Sequence, residues 1–295
     1  MNKNTIANLA ALFGAISAGA SVVAARVAGA EVEPFTLAFY RYIVAVVCMA
    51  PVLYALWPRE RLPAGEVFKI AALGALFFGF FPWSFNAALQ YTTAPRGAIG
   101  LATIPIQTLI IAALFGRESL TGRKLASVLL AFAGIAVVFG PAALGVTGTD
   151  YLIGDGLMLL GALSAAIYSA FSRPVLTRHG AMFVTALAMV FGLLSLTLPA
   201  AWHGALSGWP AFSNSTWLAV LFLGVVGGAM QFSAFTWALR WLPPSRVVIY
   251  LTLNPISAVL LAMLILGEHA TGLLIAGLVL VISAILVANL GPRAK

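Results

Sequence analysis

The residues able to do chemistry in this chain are polar and aromatic side chains set inside long apolar stretches. They are Ser17, Ser21, Trp83, Ser84, Asn86, Thr103, Gln107, Ser164, Tyr168, Gln231, Ser233, Tyr250, Thr252 and Asn254, with one cation, Arg41. None is a nucleophile beside a base, and none belongs to a metal-ligand cluster. What such groups can do is hold a small polar solute by hydrogen bonds and stacking. Asn86, Gln107, Gln231 and Asn254 are the costliest of the neutral ones to bury, so each is a candidate to line a cavity. A Ser or Thr in such a stretch has a plainer use, bonding its own helix or gluing two helices together. Trp83, Tyr168 and Tyr250 lie deep in their stretches. Trp57, Trp202, Trp217 and Trp241 instead stand at stretch ends, where aromatic residues anchor at a membrane interface.

Arg41 has two readings. It can reach the surface or a backbone carbonyl as a structural cation, or it can attract a substrate carboxylate. The other titratable groups are peripheral. His179, His203 and His269 are in or beside loops, and none of the eight carboxylates (Glu31, Glu33, Glu60, Glu66, Glu118, Asp150, Asp155 and Glu268) is mid-stretch. There is no H-E-x-x-H and no phosphate loop. Cys48 is the single cysteine, so no disulfide framework exists. The sequence therefore implies no enzyme, no metal and no cofactor.

The elements that position these residues are membrane spans. The composition is 62% hydrophobic and 8% charged, where soluble domains average about 25% charged residues. A span takes ~20 apolar residues, and ten are expected, near 5–25, 35–57, 67–89, 97–116, 122–140, 152–172, 181–202, 216–239, 246–266 and 271–290. The net charge of +8 does not indicate nucleic acid, because of where the charges fall. With the N-terminus cytoplasmic, the cytoplasmic segments carry every Lys and Arg except Arg26, Arg96 and the intramembrane Arg41. The positive-inside rule thus puts both termini in the cytoplasm.

The chain also repeats itself. Phe85–Gly122 overlies Phe235–Gly272 at a shift of 150 with 13 of 38 positions identical, including Arg96/Arg246, Pro105/Pro255, Glu118/Glu268 and Thr121/Thr271. The shift is 147 between the first and sixth spans and 148 between the second and seventh. Residues 1–147 and 148–295 are thus expected to be two five-span copies. Five is odd, so the second copy is inverted, the signature of secondary transporters with a site near the midplane. Pro105 and Pro255 deprive the carbonyls of Leu101 and Leu251 of their helical donors.

Ten spans in two inverted halves, the run Pro-Phe-Thr-Leu-Ala-Phe-Tyr-Arg at 34–41, and a proline-centred span ending Gly-Arg-Glu-Ser-Leu-Thr-Gly at 116–122 resemble the EamA-type exporters of the drug/metabolite transporter superfamily. The second copy keeps the ending as Leu-Gly-Glu-His-Ala-Thr-Gly at 266–272. Within that superfamily the chain is most similar to bacterial exporters of amino acids, aromatic ones included. The resemblance implies an all-α basket that opens alternately to either side, in a bacterial inner membrane. Its partners would be an amino-acid-like small molecule and the lipid bilayer, with the oligomeric state open, a monomer included. The expected substrate-binding residues are Ser17, Arg41, Trp83, Asn86, Gln107, Ser164, Tyr168, Gln231, Tyr250 and Asn254, and the expected hinges Pro82, Pro105 and Pro255. The fifth, seventh and tenth spans, poor in polar side chains, are expected outside the cavity, with the second ambiguous. With no mid-membrane acid to relay protons, facilitated export of a neutral or zwitterionic solute is expected. The alternative is a carrier of another metabolite class in the same superfamily, such as sugar phosphates, nucleotide sugars or drug-like compounds. A sugar-phosphate carrier would want more than one basic residue in the cavity.

Overall fold

The structure is a computed structural model that describes residues 3–58, 61–145, 148, 150–208, 210–266 and 271–290. Glu268 and His269 lie outside the described residues. Among the described residues, ten helices are long and apolar enough to cross a membrane. They are α1 (Lys3–Gly29), α2 (Pro34–Ala55), α3 (Ala64–Tyr91), α4 (Pro95–Leu114), α5 (Gly122–Leu144), α6 (Tyr151–His179), α7 (Ala181–Trp202), α8 (Asn214–Trp241), α9 (Pro244–Leu261) and α10 (Gly272–Asn289). No strand occurs among the described residues. Several helices outrun their apolar cores, and α6 continues to His179, because a helix persists until capping or backbone chemistry stops it.

The stops are legible. Glu33 ends the turn after α1 and caps α2, accepting from the backbone N–H groups of Phe35 and Thr36 at 3.0 Å each. Thr121 and Thr271, the repeated threonines, cap α5 and α10 with their hydroxyls. Such a cap contributes ~1 kcal/mol. Glu118 does not cap the helix that follows it. Its carboxylate crosses to α9, accepting from the Ser245 N–H at 3.1 Å and from the Ser245 hydroxyl.

The two copies embrace. α1 lies against α8 and α9, α6 lies against α3 and α4, α2 packs on α7, and α5 packs on α10. These pairings interchange when the copies are exchanged, as an inverted repeat requires. Close approach depends on glycine at matching places. A Cβ on Gly74 of α3 would stand 2.4 Å from the Ala188 carbonyl oxygen of α7, and one on Gly224 of α8 would stand 2.4 Å from the Val44 side chain of α2.

Irregular backbone also repeats. α3 widens into a π-helical turn at Ala75–Phe80, and α8 does so at Val225–Met230, 150 residues later. Pro82 follows the first turn, but Phe232 holds that place after the second, so proline does not cause the widening. α4 breaks at Ala102–Thr103, ahead of Pro105, and α9 tightens into a 3-10 turn at Ile249–Thr252, ahead of Pro255. Non-helical backbone at membrane depth is tolerated only where protein or a cavity surrounds it.

Candidate functional site

These four irregular turns surround one cavity between the copies. It has two adjoining lobes of about 60 and 50 Å³ that share Ala18, Phe81, Leu101, Gln231, Phe232 and Asn254. The first lobe adds Ser21, Val22, Ala25, Arg41, Tyr42, Pro82, Phe85 and Asn86. The second adds Gly14, Phe77, Ile104, Ala165, Phe235 and Leu251. α1, α2, α3, α4, α6, α8 and α9 contribute, while α5, α7 and α10 do not. At ~10–15 Å³ per water-sized atom, the lobes have room for roughly eight such atoms, so a larger solute requires the helices to part. Leu101 and Leu251, whose carbonyls the prolines leave without a helical donor, both face this space.

Among the residues expected from sequence, Arg41, Asn86, Gln231 and Asn254 come together on the lining. Arg41 Nη2 donates to the Gly227 carbonyl at 2.6 Å, within the second π-turn, while its buried Nε has no partner. Its guanidinium also lies over the rings of Tyr42 and Phe232, at 5.6 and 5.8 Å. Ser21 donates back to the Ser17 carbonyl and reaches Gln231 Oε1 at 3.3 Å. Asn254 Oδ1 is buried without a partner.

The other six expected binding residues do not line the cavity. Trp83 stacks on Phe35 at 5.0 Å, toward the end of the bundle that carries His203. Tyr168 is fully buried behind the second lobe, stacked on Phe77 at 4.3 Å. Ser164 closes a local bond to the Gly161 carbonyl, and Ser17 serves Ser21 through its backbone. Gln107 donates to Thr103 Oγ1 at 2.9 Å beside the α4 break. Tyr250 donates to Asn8 Oδ1 and accepts from Asn289 Nδ2, each at 3.2 Å, joining α9, α1 and α10 at the end of the bundle that carries the N-terminus. Asn8 had no signal in the sequence, as one amide in the first turn of an apolar span. Phe77, Phe81, Phe232 and Phe235 were also passed over, because phenylalanine inside a membrane span reads as ordinary packing. Their register with the π-turns is what aims them inward.

Both ends of the bundle are tied across the copies. At the N-terminal end, Glu66 of α3 pairs with Arg178 and His179, and Glu118 pairs with Lys124 at 2.9 Å while holding Ser245. At the other end Arg96 of α4 pairs with Asp155 of α6, which also accepts from Thr92 at 2.9 Å. Glu31, between α1 and α2, accepts from the Ser213 N–H and the Thr216 hydroxyl at 3.2 and 2.8 Å. Bonds from Ser213 and Thr216 hold its carboxyl below its ordinary pKa. Two wider recesses share no residue with the central cavity. One of about 340 Å³ lies under the loop 203–212, and one of about 280 Å³ lies between α4, α5 and α6.

A polar-and-aromatic cavity between two inverted five-helix copies, tied at both ends, is the arrangement of a transporter. The profile of the EamA-like transporter family matches residues 5–140 and again 152–290, and the chain belongs to that family. It is 28% identical over 244 residues to an uncharacterized transporter of Archaeoglobus fulgidus, covering 81% of each chain. It is 25% identical to the uncharacterized inner membrane transporter YedA of Escherichia coli, over 95% of this chain and 91% of that one. A protein of Streptantibioticus cattleyicolor named "Probable terminal-alkyne amino-acid exporter" is 26% identical, over 97% of this chain and 91% of that one. A solved crystal structure, 21% identical, superposes with a TM-score of 0.78 over 96% of both chains and shows the same fold.

Proposed function

We propose that this transporter exports amino acids or similar small zwitterionic metabolites across a bacterial inner membrane, by alternating access and without an obligate proton relay. The observation that carries this is the composition of the cavity wall. It pairs one guanidinium and three amide side chains with phenylalanine rings, and among the described residues no carboxylate lines it. Amides and a single cation suit a solute that bears both signs of charge. Phenylalanine rings suit an apolar side chain. A lipophilic cation would want an acid in the wall, and a sugar phosphate more than one basic group. The relative named as an amino-acid exporter supports the same reading. The distribution of Lys and Arg supports cytoplasmic termini.

Counterflow in proteoliposomes tests the proposal. Vesicles are loaded with unlabelled threonine, methionine, phenylalanine, tryptophan, lysine or glutamate, and uptake of labelled amino acid is followed with and without a pH gradient. Exchange of neutral amino acids at rates that ignore the gradient is expected. Accumulation driven by an imposed gradient would overturn the uncoupled mechanism. Absence of exchange with every amino acid, in folded and inserted protein, would overturn the substrate class.

A further inference from the structure

The inverted repeat allows the cavity to be compared with itself. Applying the internal shifts of 147, 148 and 150, Ser21, Arg41 and Gly227 correspond to Tyr168, Met189 and Phe77. In the second group, Phe77 stacks on Tyr168 at 4.3 Å and Met189 is fully buried. The same corner of the fold is therefore sealed by apolar contact in one copy. In the other it holds an intramembrane cation, and a Cβ on Gly227 would collide with Ser21 Oγ at 2.3 Å. The difference extends further, since Gln231 and Asn254 correspond to Phe81 and Ile104. All four line the cavity. The pseudo-twofold axis thus sets Ser21, Arg41, Gln231 and Asn254, the polar half of the chamber, against less polar counterparts in the other half, with Asn86 and Phe232 as exceptions to the pattern.

The polar half is incompletely satisfied. Arg41 uses Nη2 on the Gly227 carbonyl, but its buried Nε–H has no partner, and among the described residues no carboxylate lies within ion-pair distance of it. A cation held in a low-dielectric site is costly unless an anion or further hydrogen bonds meet it. Asn254 Oδ1, on the same lobe, is a buried acceptor without a donor. The fold does not require the charge, since Met189 occupies the equivalent place.

Resting on the amino-acid reading above, we infer that the polar half is a head-group site. Arg41 receives the α-carboxylate, Asn254 Oδ1 receives the α-ammonium, and an apolar side chain lies toward Phe77, Phe81 and Ile104. The ligand class is a zwitterionic α-amino acid with a free carboxylate. The Gly227 carbonyl, within the widened turn, holds the guanidinium in position for it.

The test compares phenylalanine with phenylalaninamide, which keeps the ring and amine but lacks the carboxylate. Each competes against counterflow of labelled phenylalanine in wild-type protein and in Arg41→Met, which installs the residue the other copy already accommodates. Wild-type protein is expected to prefer the free acid by at least about tenfold, the effect of a hydrogen bond to a charged group. Arg41→Met is expected to bring the ratio near one while keeping its melting temperature. A wild-type ratio near one overturns the assignment whether or not the variant folds, and so does an undiminished preference in Arg41→Met. If wild-type protein exchanges no amino acid, the substrate reading fails by itself. The head-group site is then judged from melting temperatures with 3-phenylpropionate and its amide. Stabilisation by the acid alone, lost in Arg41→Met, supports it, and any other pattern overturns it.

Discussion

Removing a single oxygen from Tyr250 should loosen the N-terminal end of the bundle without disturbing its packing. The phenol donates to Asn8 and accepts from Asn289, and so ties α9 to α1 and α10. Tyr250→Phe keeps the ring and deletes both bonds. A neutral hydrogen bond contributes ~0.5–1.5 kcal/mol net. At 3.2 Å these two are at the long end of the range, so together they should stabilise the closed end by about 1–2 kcal/mol. That corresponds to a roughly 5- to 30-fold change in the open population. The assay uses Ile104→Cys, on the wall of the second lobe, in a Cys48→Ala background so that only one thiol reacts. Membrane-impermeant thiol reagent is applied to vesicles presenting the N-terminal face. When opening limits access, the labelling rate follows the open population, and Tyr250→Phe should raise it by the same factor. A rate within twofold of the parent would refute the idea that the Asn8–Tyr250–Asn289 cluster keeps this end shut.

Gly224→Val should lower the melting temperature, because even its first carbon would stand 2.4 Å from the Val44 side chain. Overpacking of this kind costs ~1–3 kcal/mol, and an unchanged melting curve would show that α2 and α8 have slack between them. Pro105→Ala and Pro255→Ala restore the missing helical donors beside Leu101 and Leu251. They should slow counterflow more than they reduce yield, and normal rates in both would remove any hinge role. Glu31→Gln should destabilise the protein at neutral pH. The Glu31 carboxyl is held below its unfolded value of 4.5, so its contribution is complete above about that pH and fades as pH falls through the lower folded value. The difference in melting temperature between the two proteins should therefore be flat above pH 5 and shrink below 4.5. A difference that persists at pH 3 would contradict this.

Much of the architecture is legible in the sequence, because each part left a mark on residue type. Ten apolar stretches gave ten helices, and the paired prolines marked the breaks in α4 and α9. The repeated threonines proved to be caps. Polar content separated α5, α7 and α10 from the helices that line the chamber, and α2 joined the lining through Arg41 and Tyr42. Direction within a helix was harder. Gln107 and Asn254 carry similar amides in matched helices, yet Asn254 faces the cavity while Gln107 turns to Thr103. Periodicity cannot decide such a case when every face of the helix is apolar and the backbone is irregular nearby. Tyr168 is deep, as expected, but depth does not distinguish a ring that lines a cavity from one that packs behind it, and Trp83 lies instead toward one end of the bundle, stacked on Phe35. The π-turns left no signature at all, since a widened turn has no residue code of its own.

Those two turns bear on how the chain tolerates change in length. A widened turn holds one more residue than an α-helical turn, and each residue of an α-helix advances the azimuth by ~100°. If Val225–Met230 tightened to ordinary helix with its sequence unchanged, everything beyond it in α8 would swing by about a quarter of the circumference. Gln231, Phe232 and Phe235 would leave the chamber together, and residues now facing neighbouring helices would take their place. Deleting a single residue from the same turn removes the extra residue as the turn tightens, so the rest of α8 would keep its facing. The same holds for Phe81 and Phe85 beyond Ala75–Phe80. Each turn can thus absorb a one-residue deletion that, elsewhere in α3 or α8, would redefine a wall of the binding chamber.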